Sequence, residues 1–169
     1  MTEEGVAVSD AETPWALPAL ELWDGSDWPR YEEHLYGIFH ADFLVTPPLW
    51  RGQPVTVQRE PMLNGKAEGF WHIVTETGPS RQRDDRIPDP RRCERIRWVR
   101  AVLTAPEQEV RTFGEMRGSY QHVGIALPDF SYVVFIRLWP RNVQLKAAYT
   151  VPAAHNRASL ERQWKLEKR

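Results

Sequence analysis

Residues 132–139 read Tyr-Val-Val-Phe-Ile-Arg-Leu-Trp, a run that is almost continuously apolar. Such a run, rich in β-branched and aromatic residues, is typical of a central strand with both faces covered. Pro140–Asn142 then favours a turn, and Val143–Val151 is predicted to return as the partner strand. Two earlier segments, Val110–Phe113 and Tyr120–Leu127, also have strand character. The second half of the chain is therefore predicted to form a mostly antiparallel meander of three or four strands.

The first half begins with a predicted helix over residues 27–46. Asp27 can accept hydrogen bonds as the N-cap, and Pro29 is tolerated in the first turn. Thr46-Pro47-Pro48 ends this helix, because proline cannot continue it and restricts the residue before it. Four apolar residues at helical spacing form its predicted buried stripe: Leu35, Ile38, Phe39 and Phe43.

A second helix is predicted from Asp89 to Leu103, with Asp89 as its cap and Pro90 in its first turn. Its predicted buried stripe consists of Cys93, Ile96, Val99 and Leu103. Another face of the same helix holds Arg91, Arg95 and Trp98. Asn156 is predicted to cap a short terminal helix, with Leu160 and Trp164 on one side.

Short strands are predicted between the first two helices. Val55–Val57 alternates with polar neighbours, Asn64-Gly65 predicts a tight turn, and Phe70–Thr75 predicts a strand. Thr77–Asp89 is predicted to be a polar loop, because it is rich in Arg, Asp and Pro. This order of helices and strands predicts an α+β domain with a mostly antiparallel sheet.

Charge divides the chain into two parts. Residues 1–43 contain ten Asp or Glu and one Arg, a net of −9, whereas residues 44–169 contain thirteen Asp or Glu and twenty-one Lys or Arg, a net of +8. A basic body can bind a polyanion, and an acidic arm can shield a basic site in cis or keep the protein in solution. The predicted organisation is an acidic, poorly ordered arm over residues 1–26 and one domain over residues 27–169, made of the 27–46 helix and a core at residues 50–169.

Several classes of protein are excluded by absent motifs. No run of 18 apolar residues could span a membrane, and the acidic segment Met1–Glu4 lacks the apolar region of a signal peptide. A single cysteine, Cys93, excludes an intramolecular disulfide and a Cys-based zinc site. The chain has no phosphate-binding Gly-rich loop, no nucleophile elbow and no His-Glu-x-x-His motif. We expect a cytoplasmic protein that uses no metal and no cofactor.

A histidine precedes the arginine-dense helix in the sequence. His72 can transfer protons near neutral pH, and arginine binds phosphate through a planar fork of donors. Residues 81–100 contain eight Arg and four acidic residues, a surplus that local pairing cannot neutralise. This combination favours contact with a phosphodiester backbone. The alternative interpretation is a hydrogen-bonded histidine at the edge of a core, beside arginines held in structural ion pairs.

The chain resembles a group of nucleases over residues 50–169. A histidine segment at Phe70–Glu76 precedes Glu-Arg-Ile-Arg-Trp at residues 94–98, and Ala-Tyr-Thr at residues 148–150 precedes a basic helix. This order is similar to the phage-associated members of the barnase–EndoU–colicin–RelE nuclease group. The resemblance implies a curved antiparallel sheet packed against one or two helices. It also implies a small metal-independent ribonuclease, acting as a toxin or effector, with a neutralising protein in trans.

We therefore hypothesise an endoribonuclease of phage or mobile-element origin that cleaves RNA, with tRNA as one candidate target, by general acid–base transesterification. His72 and Glu76 are predicted to transfer protons, because residues four apart on a strand point to the same face. His122, in a predicted strand, is a secondary candidate. The predicted catalytic residues are His72, Glu76, Arg95 and Thr150, and the predicted substrate-binding residues are Arg91, Arg92, Trp98, Tyr149 and His155.

The alternative hypothesis is a non-catalytic module. Such a protein would bind nucleic acid or another protein, as an inhibitor or regulator, through its basic body and its acidic arm with Trp15, Trp23 and Trp28. The two hypotheses differ in geometry, because an arginine must lie close to His72 if both act on one phosphate. The sequence makes no prediction of oligomeric state.

Overall fold

The computed structural model describes residues 13–82 and 84–168. Within them, the α-helices are α1 (Trp28–Phe39), α2 (Glu68–Val74), α3 (Pro90–Glu94), α4 (Ile96–Leu103) and α5 (Ala154–Glu167). The strands are β1 (Leu49–Trp50), β2 (Gln53–Thr56), β3 (Thr75–Thr77), β4 (Arg86–Pro88), β5 (Arg111–Arg117), β6 (Tyr120–Ala126), β7 (Tyr132–Leu138) and β8 (Val143–Thr150). A π-helical segment, His40–Val45, extends α1. None of these helices is long and apolar enough to cross a membrane.

Six of the described strands form one curled, mixed sheet in the order β1-β2-β8-β7-β6-β5. Neighbouring strands run antiparallel, except that β2 and β8 run parallel. The parallel contact is short, because it joins only Val55 to Val143 and Thr56 to Gln144. Helices pack against this sheet, so the predicted α+β class is confirmed.

Strand β7 lies between β6 and β8, as its apolar sequence predicts. Its side chains alternate between two cores. Val134 and Ile136 join the larger core with residues of α1, α2 and α4, and we call this side the first face of the sheet. Val133 and Phe135 join a smaller core on the opposite side, the second face, against which Trp164 of α5 packs.

The second face contains a glycine that makes room for an aromatic ring. Gly124 on β6 lies opposite Phe113 on β5, and a Cβ atom at Gly124 would lie 2.6 Å from Phe113 Cε2. We expect Gly124→Ala to lower the free energy of unfolding by about 1–3 kcal/mol, the usual cost of overpacking. Urea denaturation measures this change.

The matched control for this substitution is Gly37→Ala. Gly37 lies in α1, and a Cβ atom there would meet nothing within 4 Å. Alanine is favoured over glycine inside a helix, so this variant should gain about 0.5–1 kcal/mol of stability. Equal stability of the two variants would contradict the described packing of the second face.

One predicted strand is wrong. Residues 70–74 belong to helix α2, and strand β3 begins only at Thr75. Six of the seven α2 residues are buried, so the segment has no polar face that reveals a helical period. A short apolar run without such a face fits a strand or a helix equally well.

Three smaller predictions can be compared with the structure. The predicted loop Thr77–Asp89 contains β4, which pairs with β3 to form a hairpin. The terminal helix begins at Ala154 rather than at Asn156, without a side-chain cap. Asn64-Gly65 makes the predicted tight turn, with φ angles of 51° and 70°.

The helix caps predicted at Asp27 and Asp89 are confirmed, whereas the cap predicted at Asn156 is wrong, because Asn156 lies inside α5. Asp27 accepts a hydrogen bond from the backbone N–H of Arg30 at the start of α1. Asp89 accepts from the backbone N–H groups of Arg91 and Arg92 at the start of α3. The predicted arginine helix is interrupted at Arg95, where it divides into α3 and α4. The predicted stripes of both helices are buried: Leu35, Ile38, Phe39 and Phe43, and Cys93, Ile96, Val99 and Leu103.

The described part of the acidic arm lies against α3 and α4. The Trp98 indole N–H donates to Pro18 O at 2.8 Å, and Glu21 N donates to Glu94 O at 2.8 Å. The Glu21 carboxylate also pairs with Arg97. Residues 1–12 lie outside the described part of the chain, so the division into arm and domain stays a prediction.

Candidate functional site

His72 lies on α2, with 21% of its side chain exposed. Its Nε2 atom lies 3.1 Å from Oε1 of Glu68, one helical turn earlier. The Glu68 side chain is buried, and the same oxygen lies 3.7 Å from Nη2 of Arg86 on β4. One buried carboxylate therefore interacts with both the imidazole and a guanidinium.

The predicted pairing of His72 with Glu76 assumed that both residues lie on one strand. In the structure, His72 lies on helix α2 and Glu76 lies on β3. Glu76 is an exposed residue of β3, opposite Ile87. The carboxylate that contacts the imidazole is Glu68 instead. Glu68 is not among the residues predicted from the sequence, although a Glu four residues before a His is the expected pair once the segment is recognised as helical. The catalytic role of Glu76 has no support from this geometry.

The surroundings of His72 favour its neutral form. Burial lowers the pKa of the imidazole below its usual value of 6.5, and the Arg86 guanidinium lowers it further, while Glu68 opposes both effects. Lys146 on β8 is also close enough to lower the pKa of His72. A neutral imidazole at pH 7 can accept a proton, as a general base must.

This pKa shift predicts a pH dependence of stability. Between the folded-state pKa and about 6.5, the unfolded chain binds more protons at His72 than the folded chain does. The free energy of unfolding should therefore rise with pH through that window and gain nothing further from His72 above it. Urea denaturation between about pH 5 and pH 7 should show a smaller rise for His72→Gln than for wild type.

The exposed His40 supplies the control for the pH experiment. His40→Gln makes the same substitution at a surface position and so controls for the change of side chain itself. If wild type and His72→Gln lost the same stability on acidification, the described burial of His72 would be wrong.

Arg92 holds the end of α2 beside His72. Its Nη1 atom donates to Thr75 O at 2.8 Å and to His72 O at 3.3 Å. Its guanidinium carbon lies 5.3 Å from the ring centroid of Tyr149 on β8. A cation at the carboxyl end of a helix is favoured by the helix dipole, so Arg92 fixes the position of α2 against the sheet.

Strand β8 carries the predicted site residues Tyr149 and Thr150 and also Lys146. Tyr149 stacks on Phe135 of β7, with ring centroids 5.8 Å apart, and so lies on the second face. Thr150 lies opposite Tyr132 at the end of the strand. Between Leu145 and Ala147 the register with β7 shifts, which leaves Lys146 as the extra residue of a β-bulge. Lys146 is not among the residues predicted from the sequence, because only the strand register reveals the bulge.

The other predicted arginine-helix residues form a separate cluster. The Arg95 guanidinium carbon lies 5.0 Å from the Trp98 ring centroid, and Nη1 of Arg95 donates to Arg91 O at 3.1 Å. The Arg95 side chain also pairs with Glu94. Trp98 packs against Tyr132 and is covered by the arm. Thus the structure brings Arg92 to His72 and gives Arg95 and Trp98 other partners.

His155 lies in the first turn of α5 and is exposed. His122 lies on β6 directly opposite Arg137. It is two residues before Gly124, so both positions lie on the second face. The role of His122 in proton transfer stays a hypothesis.

Within residues 13–82 and 84–168, no group of three or more His, Cys, Asp or Glu side chains could hold a metal ion.

No protein family, curated protein or solved structure matches the chain. The chemistry of the site therefore has to be inferred from its own residues. These supply a neutral, oriented imidazole, a buried carboxylate and several cations, which suit proton transfer beside a bound anion.

Proposed function

We propose that the protein is a metal-independent endoribonuclease that cleaves RNA by general acid–base transesterification. The observation that supports this most directly is His72. Its imidazole is held by Glu68, is kept neutral by burial and Arg86, and has Lys146 nearby. Base, orienting carboxylate and cation therefore occur together where α2 packs against β8.

The hydrogen bond to Glu68 indicates which ring nitrogen of His72 carries the proton. If Nε2 donates to the carboxylate, Nδ1 carries the lone pair and can accept the proton of a ribose 2′-hydroxyl. The resulting 2′-oxygen attacks phosphorus, and the bond from phosphorus to the 5′-oxygen breaks. Lys146, as an ammonium, is the candidate to protonate that leaving oxygen and to stabilise negative charge on the phosphate. The products are a 2′,3′-cyclic phosphate and a 5′-hydroxyl.

Glu68 and Arg92 have positioning roles in this proposal. Glu68 orients the imidazole, as a carboxylate does in other histidine-based sites. Arg92 binds the carbonyl oxygens of His72 and Thr75 and so holds the end of α2. The roles predicted for Arg95 and Thr150 are not needed by this arrangement.

The cellular part of the proposal follows the nuclease resemblance. A small ribonuclease of this type would act in the cytoplasm as a toxin or effector, on tRNA or another RNA. A protein acting in trans would neutralise it.

The test is incubation of the purified full-length chain with total RNA and with tRNA in the presence of EDTA. We expect discrete fragments that end in 2′,3′-cyclic phosphate. Those ends are identified by their resistance to phosphatase until mild acid opens the ring. A well-folded protein that binds RNA but cuts none of these substrates would overturn the proposal and favour the non-catalytic module.

A further inference from the structure

Two aromatic rings and an arginine form a cluster at one end of the second face. The Arg137 guanidinium carbon lies 3.2 Å from the ring centroid of Tyr120 and 4.7 Å from that of Trp139. Tyr120 and Trp139 are each 38% exposed, unusually open for rings of this size. We call these three residues the aromatic–arginine cluster.

The cluster is held in place by neighbouring strands. Arg137 lies opposite His122 on one side and Gln144 on the other. The Trp139 indole N–H points to Gln144 Oε1 at 3.4 Å, and its backbone N–H donates to Asn142 O at 2.9 Å. The exposed rings are therefore fixed before any ligand arrives, which lowers the entropic cost of binding.

An open recess of about 550 Å³ borders the Trp139 ring. Its other walls are formed by Thr56, Pro140, Arg141, Asn142 and Gln144. Most of this lining is apolar, while Arg141 adds a cation and Gln144 an amide at the border. A flat aromatic ligand that carries a negative charge matches this combination.

Lys146 on β8 lies within electrostatic range of both Arg137 and His72. Burial lowers the pKa of the Lys146 ammonium, and nearby Arg137 lowers it further, so the two cations lie close together. The charge of Lys146 also lowers the pKa of the His72 imidazole. Lys146 is the extra residue of the β8 bulge, two positions after Gln144 of the recess.

We propose that the aromatic–arginine cluster binds an unpaired base of the single-stranded RNA that is cleaved at His72. The base stacks on Trp139 in the recess, and Arg137 and Arg141 contact the neighbouring phosphate. This inference rests on the proposed ribonuclease function, which it narrows to substrates with unpaired nucleotides.

Single-stranded RNA fits this surface better than a duplex does. Aromatic stacking requires a base whose face is free, and every base has such a face, so the cluster would show little sequence preference. In a duplex, the bases are stacked on each other and side chains reach mainly the backbone and the shallow groove. Loops and single-stranded ends are the expected targets.

The test measures binding separately from cleavage. Fluorescence anisotropy with a fluorescein-labelled 2′-O-methyl RNA octamer reports affinity, because this RNA has no 2′-hydroxyl and cannot be cut. We expect Trp139→Ala to weaken binding by about 5- to 150-fold, the loss of one stacked base. Trp139→Phe should recover most of the affinity. The same octamer in a duplex should bind more weakly than the single strand.

Leu166→Ala is the control, because it also truncates a large exposed apolar side chain, 68% exposed, on α5 and outside the cluster. It should bind the octamer as wild type does. Circular dichroism spectra of all variants establish that each is folded.

The outcomes separate the two proposals. If Trp139→Ala binds as tightly as wild type, or if duplex and single strand bind equally, the cluster is not a base-binding site, whatever the cleavage assay shows. If binding depends on Trp139 but cleavable RNA stays intact, the ribonuclease proposal fails and single-strand binding stands. If both hold, Trp139→Ala should raise KM for cleavage more than it lowers kcat.

Discussion

Replacing His72 by alanine is expected to lower kcat/KM for RNA cleavage by about 10²- to 10⁴-fold, the usual contribution of a general base. In the proposed mechanism, the variant keeps the cations that contact the phosphate but loses the atom that accepts the 2′-hydroxyl proton. Rates of release of 2′,3′-cyclic phosphate ends from a defined RNA measure the loss. Binding of the uncleavable octamer should change little, since His72 acts on the proton rather than on affinity.

Two further variants sharpen this prediction. His40→Ala removes an exposed histidine outside the site and should cleave as wild type does. Glu68→Gln keeps the size of the orienting side chain but removes its charge, so it should give an intermediate loss. A His72→Ala protein that is folded and retains wild-type kcat/KM would remove His72 from the reaction.

The pH dependence of kcat/KM adds an independent test. A general base acts in its neutral form, so wild-type kcat/KM should rise with pH through the pKa of His72, which burial and Arg86 place below 6.5. Above that pKa, the rate should level until a second group titrates. A rate that falls as pH rises through this region would assign the opposite protonation state to His72.

The second large effect is expected from Phe70→Ala, which should lower the free energy of unfolding by about 3–5 kcal/mol. Phe70 is fully buried on α2. Its ring centroid lies 5.1 Å from those of Tyr36 and Trp71 and 5.7 Å from that of Phe39. Deleting the ring leaves a cavity between α1 and α2 that rigid neighbours cannot fill.

Urea denaturation measures the effect of Phe70→Ala, with an unchanged m-value as evidence that cooperativity is retained. Leu166→Ala is the control, because Leu166 is 68% exposed and a surface truncation usually changes stability by less than about 0.5 kcal/mol. Phe70→Leu should cost less than Phe70→Ala. A loss below about 1 kcal/mol for Phe70→Ala would contradict the described packing of α2.

The effect of Phe70→Ala extends to the proposed site. Helix α2 carries Phe70 toward α1 and His72 toward β8, so the stability of the core and the position of the imidazole depend on the same seven residues. Under conditions where Phe70→Ala is still folded, it should therefore bind the octamer normally but cleave more slowly than wild type.

Local sequence signals determined a large part of the fold. The apolar run at residues 132–139 predicted the central strand, and Asp27 and Asp89 predicted the starts of α1 and α3. These signals are reliable because each depends on neighbouring residues only. A cap bonds to the next turn, and a two-sided apolar strand requires cover on both faces. His72 was also selected from the sequence, by its chemistry and its position before the arginine helix.

Tertiary structure decided what surrounds His72. The helical form of residues 68–74, the pairing with Glu68 and the bulge at Lys146 depend on packing against β8. The covering of Trp98 depends on residues far away in sequence. The physical reason is that a short, nearly fully buried segment has no preferred period of its own, and a strand register is set by its partner strand. The sequence alone thus identified His72, whereas Glu68, Arg86 and Lys146 could be assigned to its surroundings only from the tertiary structure.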